Sequence, residues 1–219
     1  MSEESSRHAA TTKNTYIDVG ADTEEGYAIS KKSRALARAA VGNATPEDRI
    51  RQRCSIAVGD FSMAELMRFE HNPVKAVLDA LRNRAPIVTD IRMVQVGIQK
   101  KGHASEVLCA LDFGAEIVKE KGITRSSAGF LALRDRLPGA IVVIGNAPSA
   151  LLSACALVNE GIRPAAIIGA PVGFVNAAES KALLRTIDIP SISTEGTRGG
   201  TPVAVAALNE CITMYIEGR

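Results

Sequence analysis

Three segments rich in Gly and Pro each follow a short apolar run. They are Gly145-Asn146-Ala147-Pro148-Ser149 after Ile144, Gly169-Ala170-Pro171-Val172-Gly173-Phe174 after Ile168, and Thr194 through Pro202, which contains Arg198-Gly199-Gly200. Glycine lets a backbone approach a ligand closely, and the N–H groups at a helix start attract anions. Asp90-Ile91-Arg92-Met93 follows a fourth run. Arg92, Arg125 and Arg198 each lie in or beside such a segment or a helix start, where guanidinium groups suit a ligand carrying several carboxylates. Tight strand-to-helix turns account for the glycines as well, and solvated surface positions for the arginines. No GxxxxGK followed by Ser or Thr, no GxGxxG after a strand and no GxSxG elbow is present, which argues against a kinase, a dinucleotide oxidoreductase and an acyl hydrolase. His8, His71 and His103 lack metal-ligand spacing, so no metal site is expected. Cys54, Cys109, Cys155 and Cys211 lie far apart with no CxxC, which fits a reducing cytosol.

A repeating order of elements must position these segments. The runs Pro86–Asp90, Glu106–Leu111, Ala140–Ile144, Ala165–Ile168 and Pro190–Ser193 read as strands, separated by helical stretches near 115–136, 148–160, 177–187 and 203–216. Continuously apolar strands alternating with helices indicate a mostly parallel sheet covered on both faces: a three-layer, doubly wound α/β domain. Ahead of it lies a helical N-terminal segment. Asp22–Val41 reads as a helix with Tyr27, Leu36 and alanines as its apolar stripe. A second helix starts at Thr45 as N-cap with Pro46 in its first turn, and carries Ile50, Cys54, Ala57 and Val58 on one face. Asp60–Phe69 reads as a short helix and Pro73–Arg82 as another. Residues 1–20 read as a flexible leader and 21–219 as one domain.

Composition narrows the function classes. Of 219 residues, 46% are hydrophobic and 23% charged, which is ordinary for a globular chain. A net charge of +2, with three Tyr, five Phe and no Trp, offers neither a basic footprint nor a base-stacking platform, so no nucleic-acid partner is expected. No apolar run reaches membrane-span length and the Ser/Glu-rich start is no signal peptide, so a cytoplasmic protein without membrane attachment is expected.

Taken together, Ile144-Gly-Asn-Ala-Pro-Ser-Ala-Leu151, Pro171-Val-Gly-Phe-Val-Asn-Ala-Ala-Glu-Ser-Lys181 and Gly196-Thr-Arg-Gly-Gly-Thr201 resemble the precorrin-8X methylmutase (precorrin isomerase) family of corrin biosynthesis. The similarity runs from about Tyr27 to Asn209, with support from Ala85–Asp90, Met93-Val94, Gly97 and Thr124-Arg125-Ser126. The resemblance implies an isomerase without a cofactor. It would move a methyl group from ring carbon 11 to ring carbon 12 of a ring-contracted tetrapyrrole, giving hydrogenobyrinate, or cobyrinate from a cobalt-loaded precursor, in cobalamin biosynthesis. It also implies a homodimer with the cleft near the subunit boundary. By motif match it assigns substrate contacts to Ser33, Thr124, Arg125, Ser126, Gly145, Asn146, Arg198, Gly199 and Gly200. Phe174 is left between a ring-face contact and core filler, and Glu179 with Lys181 between site and a helix-surface pair.

The family's proton donor is a histidine on the N-terminal helical segment. No His lies between His8 and His71 here, and the flanks place Cys54 at that position to within about a turn. A thiol, with a pKa near 8.5, is a weaker neutral acid than an imidazolium near 6.5. Three readings stay open: Cys54 as a weak donor or an inert buried residue; another group such as His103 or a lysine brought in by the fold; or a non-catalytic corrinoid-binding protein.

Overall fold

The computed structural model describes residues 23–218, so the leader expected over residues 1–20 lies outside them. In chain order the elements are α1 (Glu24–Val41), α2 (Pro46–Val58), α3 (Met63–Leu66), β1 (Met67–Glu70), α4 (Pro73–Arg82), β2 (Ile87–Thr89), α5 (Arg92–Gly97) and β3 (Val107–Cys109). They continue with α6 (Ala115–Lys121), α7 (Arg125–Ala132), β4 (Ile141–Ile144), α8 (Pro148–Asn159), β5 (Ala166–Gly169), α9 (Ala177–Thr186), β6 (Ser191–Thr194) and α10 (Thr201–Glu217). Their start signals are those of the sequence. The Thr45 hydroxyl accepts from the Asp48 N–H while the Asp48 carboxylate accepts from the Thr45 N–H, and Pro46 occupies the first turn of α2.

The six strands form one sheet in the order β1-β6-β5-β4-β2-β3. All neighbours are parallel except β1, which runs antiparallel to β6 at the edge. Strand β4 shows why both faces must be covered. Its four β-branched residues are all buried, with Ile141 and Val143 turned to one core and Val142 and Ile144 to the other. The first core gathers Ile50 and Cys54 of α2, Val77 and Leu81 of α4, Val94 of α5 and Val203, Leu208, Cys211 and Ile212 of α10. The second gathers Phe130 of α7, Leu151 and Cys155 of α8 and Leu184 of α9. This is the expected mostly parallel, doubly wound sheet.

Locally the structure departs from the sequence reading in four places. Asp60–Phe69 is not one helix: α3 spans four residues and the chain then becomes β1, pairing Met67 with Thr194 and Phe69 with Ile192. The open hydrogen-bonding edge of β6 takes up that backbone, which outweighs a helical spacing of apolar residues too short to nucleate. The stretch 115–136 divides at Gly122, which sits at φ 63°, and at Thr124, which caps α7 by accepting from the Ser127 N–H. Residues 92–97, to which the sequence reading gives no element, form α5. In α1, the expected stripe residues Tyr27 and Leu36 are exposed, and Ala37 is the buried position among the residues described for that helix. Helix α1 rests on α2, which packs on α10, so the N-terminal segment is a second layer on the first face of the sheet.

Candidate active site

Strands β3 and β4 leave β2 on opposite sides, which makes the crevice between the carboxyl ends of β2 and β4 the switch point of the sheet, the usual ligand position in such folds. Asp90, just beyond β2, fills it. Its buried carboxylate accepts the N–H groups of Asn146 and Ala147 at 2.8 Å each and that of Gly145 at 3.3 Å. Burial raises the Asp90 carboxyl above its ordinary range, and the three backbone donors pull it back. The backbone donors expected to receive a ligand anion are therefore spent on an anion of the chain itself. Gly145 is pinned by packing too: a Cβ there would stand 2.9 Å from Cα of Thr201. The side chain of Asn146 remains exposed.

The other strand-end residues are also engaged within the chain. The Thr124 hydroxyl donates to Ser127 Oγ at 2.9 Å, shares a hydrogen bond with Ser149 Oγ at 2.9 Å and stands 3.4 Å from Ser126 Oγ. Arg125 is exposed and donates to the Leu111 carbonyl at 3.4 Å, whereas Ser126 is buried. Arg92 pairs with Asp112. Arg198 pairs with Asp60 and donates to Ser62 Oγ, tying the β6–α10 loop to the end of α2. A Cβ on Gly199 would run into the Ala170 carbonyl oxygen, and that same oxygen accepts from the Gly200 N–H at 2.7 Å. Lys181 is no surface partner for Glu179. It is 0% exposed, and its ammonium donates to the Arg198 carbonyl at 2.7 Å and to Thr194 Oγ1 at 3.0 Å, fixing the same loop from beneath. Phe174 is not core filler, being 93% exposed.

A broad opening lies elsewhere, between α1, α2, the end of α5 and the start of α10. It holds about 530 Å³. Helix α1 contributes Gly26, Ile29, Ser30, Ser33 and Arg34; α2 contributes Arg53, Ile56 and Ala57; α10 contributes Pro202, Val205, Ala206 and Asn209. Two guanidiniums and three small polar groups thus sit among apolar walls, and no acidic side chain is among the described lining residues. Beneath it, buried Glu210 pairs with Arg34 at 3.3 Å and with Arg49 at 2.7 Å, and Arg49 reaches Glu217 at 2.6 Å. Asn209 fixes the α5 end of the cleft. Its Oδ1 accepts from the Gln99 N–H and its Nδ2 donates to the Gly97 carbonyl, both at 2.9 Å.

Of the residues expected at the site, Ser33 alone lines this cleft. The group Thr124, Arg125 and Ser126 sits with α7, whose core is on the opposite face of the sheet, and Gly145, Asn146, Arg198, Gly199 and Gly200 lie along the strand-end edge. Cys54 is on the correct helix but turned away. It is fully buried, its thiol donates to the Val203 carbonyl at 3.5 Å, and burial together with Glu210 pushes that thiol well up from its usual range. It has neither the access nor the acidity of a proton donor. His103 does not enter the cleft either; its ring stands 2.6 Å from the Gln99 carbonyl and accepts from the Ser105 N–H. The cleft residues that sequence reading missed are Arg34, Arg53, Ile56 and Asn209. Arg53 and Ile56 sit three apart on α2, a spacing that marks a second helix face beside that of Ile50 and Cys54.

Comparison with known proteins bears on the whole chain. A family model described as precorrin-8X methylmutase matches residues 28–214. A cobalt-precorrin-8 methylmutase of Methanocaldococcus jannaschii is 38% identical over 207 residues, covering 89% of this chain and 96% of the relative. A precorrin-8X methylmutase of Pseudomonas aeruginosa is 36% identical over 199 residues, covering 86% and 96%. The crystal structure of precorrin-8X methyl mutase from Thermus thermophilus superimposes with a TM-score of 0.81 at 34% identity, covering 88% of this chain and 97% of that one.

The buried Lys181 gives a stability signature. Burial, reinforced by the neighbouring Arg185 guanidinium, lowers its ammonium from 10.5 to about 8. Between those values the unfolded chain binds more protons than the folded one, so the folded state gains as pH rises through the window; below about 8 both states are protonated and the contribution is constant. Unfolding free energies of the native protein and Lys181→Met, measured from pH 7 to 10.5, are expected to run parallel below 8 and then to diverge in favour of the native protein, by at most about 1.4 kcal/mol per pH unit. Parallel curves throughout would contradict this.

Proposed function

The chain belongs to the precorrin-8X methylmutase family, and from that premise we propose that it moves a methyl group from ring carbon 11 to ring carbon 12 of a ring-contracted tetrapyrrole. The observation that carries this reading to a place in the molecule is the described lining of the α1–α2–α10 cleft: apolar walls with Arg34, Arg53, Ser30, Ser33 and Asn209 among them. That is the lining a flat apolar macrocycle edged with carboxylates requires. A migration within one molecule calls for no external nucleophile. Holding the ring in one orientation supplies the larger share of the effect, and the two guanidiniums present N–H donors at the cleft surface.

The cobalt-loaded form is the substrate this cleft supports best. Among the described residues its polar lining is made of Arg, Ser and Asn side chains, none an ordinary proton donor near neutrality, and Cys54 is turned into the core. A metal already seated on the ring nitrogens makes proton donation to them unnecessary. Of the α2 residues facing the cleft, Ile56 stands where an imidazole introduced two positions beyond Cys54 would point at the ligand.

We further propose a homodimer in the cytoplasm. Met93, Val96, Val172, Phe174 and Val175 are all exposed apolar residues in segments that follow strands. A second copy would cover them and could bring Thr124, Arg125, Ser126, Asn146 and Arg198 of one chain toward the cleft of the other. Among the described residues no helix is long and apolar enough to cross a membrane.

Two measurements test these readings. Purified protein is mixed with cobalt-precorrin-8 and, separately, with metal-free precorrin-8X, and conversion is followed in the visible spectrum. The native protein is expected to convert the cobalt form and to convert the metal-free form about a hundredfold more slowly. Ile56→His should raise the metal-free rate, while Cys54→His should leave it unchanged and lower the melting temperature. Conversion of neither substrate overturns the activity, and conversion of the metal-free form alone overturns the preference. Light scattering should give twice the chain mass for the native protein and one chain mass for Phe174→Asp; a native monomer would contradict the dimer.

A further inference from the structure

Gly97, the last residue of α5, lines the cleft, and nothing so far accounts for a glycine there. Its φ is not positive, so no left-handed backbone calls for it, and within a helix alanine is the better former. What excludes a side chain is space. A Cβ on Gly97 would stand 2.9 Å from Cγ2 and 3.0 Å from Cγ1 of Val205 on α10, and Val205 lines the cleft as well. Neither backbone is free to step back. Asn209 Nδ2 donates to the Gly97 carbonyl and its Oδ1 accepts from the Gln99 N–H, both at 2.9 Å, while Ile98 between them is buried in the first core. The amide thus clamps the end of α5 to the helix that carries Val205. On α10, Ala204 and Ala206 flank Val205 and are buried, which holds that helix in place.

We propose that Gly97 is a specificity-determining residue: its missing side chain keeps the α5–α10 wall open to the edge of a wide, flat macrocycle, and Asn209 holds it there. The inference rests on the reading of this cleft as the corrinoid site. A methyl group added at position 97 meets two fixed backbones, so the group that yields is the Val205 side chain. A valine in a helix keeps to one favoured rotamer, and turning it out of that rotamer carries its methyls toward the cleft. The space is then taken from the ligand. A rigid ring cannot bend to a narrower wall, and close-packed contacts register a change of one methyl group.

The test is a visible-absorbance titration of the full chain with cobyrinate, with a melting curve for each sample. Gly97→Ala should weaken cobyrinate by about tenfold, the worth of one misfitted methyl group. Gly97→Ala combined with Val205→Ala removes the methyls that the new one displaces, and should recover most of that loss. A glycine needed only for packing would show a lowered melting temperature with the affinity of the folded protein unchanged. That result overturns the inference, and so does a loss of affinity that Val205→Ala fails to repair. Should Gly97→Ala not fold, Val205→Ile replaces it: with Gly97 closing one side, the added carbon enters the cleft and should weaken cobyrinate in the same sense. Unchanged affinity in Val205→Ile overturns the role of this wall. In each of these cases binding by the native protein leaves the corrinoid reading standing. Failure of the native protein to bind cobyrinate overturns that reading and this inference with it.

Discussion

The carboxylate of Asp90 holds three backbone N–H groups at the point where the parallel sheet reverses its strand order. Each hydrogen bond to a charged group of this kind stabilises a fold by about 1.5–3 kcal/mol, and leaving the donors unmet costs a similar amount apiece. The consequences reach beyond the turn. With the Gly145–Ala147 backbone fixed, Gly145 can lie against Thr201, and the start of α10 is set relative to β4. Lys181 and the Ala170 carbonyl fix the other side of that start through Arg198 and Gly200. Helix α10 then carries Pro202, Val205, Ala206 and Asn209 into the cleft wall. An internal anion at the switch point thus orders the edge that in many related architectures receives a ligand anion.

Charge is distributed accordingly. Arg92 and Arg198, the strand-end arginines with a carboxylate partner, are paired within the chain by Asp112 and Asp60. On the flank, α1 and α2 bring Arg34 and Arg53 to the wall of the cleft. Glu210 binds the two outer helices to α10 from beneath, through Arg34 and Arg49. A buried carboxylate shared by two guanidiniums is a weak source of net stability but a strong constraint on geometry. The outer helical layer is thereby held as a wall of the cleft, although Ala37 is the one residue of α1 that is buried.

The strands were legible because β4 and β5 are continuous apolar runs, a pattern that only a sheet covered on both faces requires. Family membership was legible in the glycine- and proline-rich loops, where close backbone approach restricts the residue types: Gly199 has no room for a Cβ against Ala170. What the sequence concealed was orientation around a helix. Cys54 and Ile56 are two residues apart, which on an α-helix turns them some 200° from one another, so one enters the core and the other the cleft. Lys181 and Asp90 were equally hidden, because a buried charge is recognisable only by the carbonyl or N–H groups that surround it. The segment after Asp60 misled for a different reason: its fate as β1 is decided by the free edge of β6, more than a hundred residues away in the chain.

The most direct measurement of where the chemistry takes place is a crystal structure of the protein with cobyrinate bound. The ring should lie between α1, α2 and α10, over Ile56 and Asn209, with Asp90 still holding the Gly145–Ala147 backbone. A ring seated at the β2–β4 crevice, with Asp90 displaced from those N–H groups and the α1–α2–α10 cleft empty, would contradict the assignment of the cleft as the substrate site.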